Sequence, residues 1–221
     1  DLLFYVDATP GSSIDDPERP SIPDEGDKEE PKPDEDENVT GTLAFEDIWP
    51  SGGDYDMNDV IVEYERKVYF DKKNIVTKIV DEFTPVHDGA TYVNAFAYQI
   101  DAAQIGDKIT LPEGAILEKE TSSIIVMSNA KQNIGNKYVV TREFNGSFLK
   151  NQLLSYNPYI IVKYSQGEQN RTEVHLPKHK ATAYANQSLI GSNDDAYYID
   201  RKGAYPFAID IPMLGFTPVT E

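Results

Sequence analysis

The sequence predicts an all-β protein, an antiparallel β-sandwich or jelly roll preceded by an extended, acidic, proline-rich segment. Three observations carry this. Apolar and polar residues alternate over several short stretches, Gly, Pro and Asn punctuate those stretches, and no long segment holds an apolar stripe at helical period. The chain of 221 residues is 39% hydrophobic and includes 14 Tyr, 9 Phe and one Trp, which is enough large apolar surface for a packed core.

The elements follow in order. Leu2, Leu3, Phe4, Tyr5 and Val6 form an apolar strand within residues 1–7 that must pair with something, either the following sheet or a domain upstream. Asp1 leads into it much as Asp59 leads into Val60-Ile61-Val62-Glu63-Tyr64. Residues 8–38 are expected to be a linker. Within residues 15–37, twelve acids face only Arg19, Lys28 and Lys32, and that net charge of −9 is half of the whole chain's −18. Pro10, Pro17, Pro20, Pro23, Pro31 and Pro33 stiffen it, and a segment with so little to bury cannot offset its ordering entropy.

The domain proper is expected over residues 39–221. Val60, Val62, Tyr64, Val68 and Phe70 alternate with Ile61, Glu63, Glu65, Lys67 and Tyr69, a period of two. Asp71-Lys72-Lys73-Asn74 turns the chain and Ile75, Ile79 and Phe83 resume the alternation, so a β-hairpin is predicted. Large and small residues alternate along residues 92–98, as suits a strand covered on both faces. Further strands are expected around Ile124–Met127, Tyr138–Val140, Tyr159–Val162 and Phe207–Ile211.

Composition excludes several functions. With 38 Asp and Glu against 20 Lys and Arg, the surface repels phosphate backbones and anionic headgroups, so neither nucleic acid nor electrostatic membrane docking is expected. No window is apolar enough to span a bilayer. The absence of cysteine removes disulfides, thiolate nucleophiles and cysteine-ligated metals. No glycine-rich phosphate loop or nucleophile elbow occurs. His175 and His179 have the spacing of a helical zinc pair, but Pro177 between them breaks such a helix.

The most informative stretch is Gly53-Asp54-Tyr55-Asp56-Met57-Asn58-Asp59. Asp54, Asp56 and Asn58 stand at alternate positions, the spacing by which a loop folds side-chain oxygens onto a hard cation, and Ca2+ is the candidate. Glu65 occupies the twelfth position of an EF-hand loop. That reading fails because Asp59 replaces the sixth-position glycine and a strand carries Glu65 roughly 20 Å away. Asp59, or Asp194 and Asp195 from the acidic loop Gly191-Ser192-Asn193-Asp194-Asp195, would complete the shell.

Glu46-Asp47-Ile48-Trp49-Pro50, the Gly53–Asp59 loop and the strand after it resemble the signature of the LruC domain family. The likeness continues through Asn157-Pro158-Tyr159-Ile160, Glu173-Val174-His175-Leu176-Pro177, the 191–195 loop and Pro206-Phe207-Ala208-Ile209, spanning residues 40 to about 212. Met57 and Phe207 depart from the aromatic and Trp of the family pattern but keep the apolar bulk. The resemblance implies a secreted or envelope-anchored protein of a Gram-negative bacterium, and no settled activity. Two functions stay open. One is a non-catalytic, calcium-stabilised module for adhesion or for binding a surface glycan or protein; the other is a secreted glycan-active enzyme using paired carboxylates in a groove.

Overall fold

The computed structural model describes residues 35–146, 148–191 and 197–218. Eleven strands account for nearly all its regular structure: β1 (Glu35–Phe45), β2 (Val60–Phe70), β3 (Val76–His87), β4 (Ala95–Gln99), β5 (Lys108–Thr110), β6 (Ile116–Glu118), β7 (Ser123–Met127), β8 (Tyr138–Glu143), β9 (Asn157–Val162), β10 (Thr172–His175) and β11 (Ala208–Ile211). They form two antiparallel sheets, ordered β11-β1-β2-β3-β8-β5 and β10-β9-β4-β7-β6. The all-β sandwich read from the sequence is the fold observed. The expected strand at residues 1–7 and most of the expected linker lie outside the described residues.

The linker reading does extend too far at its C-terminal end. β1 starts at Glu35, so residues 35–38 are strand, paired with Phe70, Tyr69, Val68 and Lys67 of β2. Backbone pairing decides this. β2 is 11 residues long and offers ladder partners along its length, while Lys150 Nζ meets Glu37 at 3.0 Å and relieves part of the charge. The predicted β2–β3 hairpin is present, with one adjustment. Ile75 falls before the strand, and a register shift carries the pairing from Tyr69↔Lys78 to Phe70↔Val76, a bulge that lets both Val76 and Ile79 face inward.

Between the sheets lies the main core, in which Leu43, Phe45, Val60, Val62 and Phe83 of the six-stranded sheet meet Phe96, Tyr98, Ile124, Val126 and Ile160 of the other. β4 is buried on both faces, as its large and small alternation implies. Phe96 and Tyr98 enter the main core, while Ala95 and Ala97 pack with Ile125, Tyr159 and Ile161 on the outer side. The strand itself is shorter than residues 92–98, because Tyr92 and Val93 are exposed before it.

The core also contains charge. Asp81 accepts from Arg66 Nε at 2.5 Å, from Arg142 Nη2 at 3.2 Å and from the Tyr98 hydroxyl at 3.2 Å. Burial alone would raise the Asp81 pKa, but the two guanidinium groups hold it below the ordinary carboxylate range. A second buried network sits on the five-stranded sheet. Glu173 accepts from Arg171, from the amide and hydroxyl of Thr182 and pairs with His175, while Arg171 grips Glu118 through both terminal nitrogens.

Candidate metal centre

The sheet register assembles this region. Phe45 at the end of β1 faces Val60 at the start of β2, and Ile61 faces His87 at the end of β3. Three chain segments therefore leave or enter the sheet at one rim, bringing Glu46 and Asp47, the loop 48–59, and Asp88 together there. Within the loop, Tyr55 and Met57 both take the left-handed backbone, each with φ of 57°. Their side chains anchor it. Tyr55 stacks on Tyr205 at 5.2 Å and meets the edge of Phe207 at 5.5 Å, while Met57 packs with Ala44 and Ile61. Trp49 lies on Tyr198 at 4.8 Å.

With the alternate residues held by packing, Asp54 and Asp56 converge on Glu46. One oxygen from each of the three carboxylates lies within 4.8 Å of the other two. Glu46 is 1% exposed, and its Oε1 accepts the Met57 N–H at 2.6 Å. Its pKa is pushed up to about 7, chiefly by burial and then by Asp59, Asp56 and Asp54, against the lowering effect of the Met57 amide. Asn58 donates its side-chain amide to Asp56 Oδ2. Asp59 takes a different place, because its Oδ2 accepts the Asp47 N–H at 2.7 Å and closes the base of the loop. Burial and the neighbouring acids raise it to about 6.

More acid lies behind. Asp47 is 4% exposed and accepts from Asn94 Nδ2 at 2.7 Å. Asp88 is 8% exposed, and neither of its oxygens has a hydrogen bond of good geometry among the described residues; Lys131 Nζ stands 3.9 Å from one of them. The Gly89 N–H donates to the Asn58 carbonyl at 2.9 Å, joining this corner to the loop. Glycine is required there, since a Cβ would approach Asn58 Oδ1 to 2.9 Å.

Of the residues predicted as ligands, Asp54 and Asp56 are brought together, Asn58 touches Asp56, and Asp59 is engaged with the backbone. Asp194 and Asp195 lie outside the described residues. Glu46 is the ligand candidate that spacing did not single out, because it reaches the loop through the β1–β2 pairing. The signal available for it was an acid directly after an apolar strand end. Glu65 lies well along β2 and accepts from Asn38 at 2.8 Å, as the strand reading requires. His175 forms no pair with His179: its ring is held by Glu173 at 2.9 Å and Asn157 at 2.8 Å in full burial, and His179 sits beyond Pro177 against that residue's carbonyl.

Carboxylates this close, with one of them sealed from solvent, suit a hard divalent cation that takes oxygen ligands. Among known families, the model described as a domain of unknown function, DUF4842, matches residues 74–221, a span that begins after the acidic loop. No curated protein matches the chain, and no solved structure does.

Proposed function

The chain belongs to the DUF4842 family of domains of unknown function, and we propose that it is a non-catalytic binding module whose loops are fastened by calcium. The single observation that supports this most is the approach of Glu46, Asp54 and Asp56 oxygens to within 4.8 Å of one another. Like charges at that distance repel, and Glu46 is nearly buried, so a cation between them turns a cost into a bond. Asn58 and water would supply further oxygens.

The enzyme reading draws less support from the same residues. The carboxyl pairs of glycosidases stand about 5–5.5 Å apart in retaining enzymes and about 6.5–9.5 Å in inverting ones, with both acids open to a sugar. Here the group is tighter and Glu46 is 1% exposed. The likeness of residues 46–50 and 53–59 to the LruC signature supports a place at the cell envelope or outside the cell. There, millimolar calcium and surface glycans or proteins are at hand, and adhesion is the role that follows.

The test is calcium binding itself. Titration calorimetry of the purified chain should give heat for calcium that Asp54→Asn or Glu46→Gln removes. Failure to detect binding at millimolar calcium would refute the reading.

A further inference from the structure

Two cavities meet at His179, which lines both. The inner one, about 450 Å³, opens between the sheets and is lined by Tyr64 and Arg66 of β2, Tyr156 just before β9, Pro158 of β9 and Asp210 of β11. The outer one, about 530 Å³, is lined by Lys178, His179, Lys180, Ile190, Tyr197 and Tyr198. Each is of the size that holds a small ligand.

The charge of these walls runs against that of the chain. Arg66, Lys178 and Lys180 belong to a molecule with a formal charge of −18, and Asp210 is the one acid among the described lining residues of either cavity. Arg66 is more telling still. It is 8% exposed, its Nε is committed to Asp81, and its Nη2 has no hydrogen-bond partner among the described residues. Asp81 is shared with Arg142, so two buried guanidinium groups divide one carboxylate. The Arg66 guanidinium lies over the Tyr156 ring at 3.9 Å and lines the inner cavity, where a ligand carboxylate would meet its charge.

The remaining groups ask for hydroxyls. Asp210 accepts the Tyr64 hydroxyl at 3.0 Å through one oxygen and leaves the other to accept from a ligand. An acidic peptide would set its own carboxylates against Asp210, whereas a sugar donates to it. Tyr197, 59% exposed at the outer cavity, offers an aromatic surface to a pyranose face.

We infer that the paired cavities bind an acidic polysaccharide, one uronic acid unit entering beside Arg66 and Asp210 and the next lying against Lys178, Lys180 and Tyr197. This rests on the reading of the chain as a binding module and gives that module its ligand class. Trigalacturonate is the probe, titrated by calorimetry into the full chain in EDTA, so that calcium cannot bridge the two. Saturable binding is expected, absent for the neutral galactose trimer. Lys178→Ala with Lys180→Ala, both exposed positions, should weaken it by about tenfold or more. Lys72→Ala with Lys73→Ala, an equal loss of exposed charge on the β2–β3 turn, should leave it unchanged.

Equal loss in both double variants, or equal binding of polyglutamate, would reduce the effect to general charge and overturn the assignment. Binding seen only with calcium and lost in Asp54→Asn alone would move the glycan to the metal centre, overturning this inference while leaving the calcium reading intact. Release of reducing ends that requires Lys178 and Lys180 would support the cavities as the glycan site and overturn the non-catalytic reading.

Discussion

Calcium should stabilise the fold in a way that depends on Glu46. In the unfolded chain this carboxyl ionises near 4.5, and in the folded protein at about 7. Folding without a cation therefore takes up a proton between those values, and stability falls as pH rises through that window before levelling off above it. The difference corresponds to roughly 3 kcal/mol for holding Glu46 ionised beside Asp54, Asp56 and Asp59. A bound cation relieves that cost. At a hundred times its dissociation constant, a ligand specific to the native state adds about 2.7 kcal/mol. For a domain of this size that raises the melting temperature by roughly 5–11 °C. The assay is thermal melting by circular dichroism at pH 5 and pH 7.5, in EDTA and in calcium. The calcium increment should be larger at pH 7.5, where Glu46 is free of its proton. Glu46→Gln sharpens the test: it should melt higher than the parent in EDTA at pH 7.5, because the buried charge is gone, and should respond less to calcium. Superimposable curves in EDTA and calcium, or a Glu46→Gln protein that melts lower in EDTA, would refute the reasoning.

The buried networks and one close approach give three further expectations. Asp81→Ala leaves Arg66 and Arg142 charged and unpaired in the core, and should cost about 3–5 kcal/mol in urea unfolding. Glu173→Gln removes the charge that Arg171 and His175 share while keeping most of the shape; a loss of about 2–4 kcal/mol is expected by the same measurement. Gly41 lies opposite Tyr64 in the β1–β2 ladder, and a Cβ there would come within 2.5 Å of the Tyr64 hydroxyl. Gly41→Ala should therefore destabilise by about 1–3 kcal/mol, and a double-mutant cycle with Tyr64→Ala should recover much of that loss.

The sequence showed most of the sheet, for a reason visible in β2. A strand with one face in the core must place apolar groups at every second position, and Val60, Val62, Tyr64, Val68 and Phe70 do so. The gap in that series is Arg66, which has core parity and is indeed buried, held by an aspartate on the next strand. Polar residues at core parity are invisible to a hydrophobic pattern until their partner is known. The same holds for the outer face of β10, where the buried Glu173 and His175 lie beside Ile161 and Tyr159 and satisfy one another. β5 and β6, of three residues each, are too short to display any period and exist because β8 and β7 offer them a ladder.

The candidate site divides along the same line. Asp54 and Asp56 could be found because their spacing is local, whereas Glu46 and Asp88 join them through the pairing of β1, β2 and β3. Yet strand register is itself a consequence of the apolar pattern. Once Phe45 is set opposite Val60 and Ile61 opposite His87, the acids that follow Phe45, precede Val60 and follow His87 must share one rim. Gathering them there raises the electrostatic cost of folding, and a chain that keeps Glu46 and Asp88 buried at that rim gains most when a cation is bound between its acids.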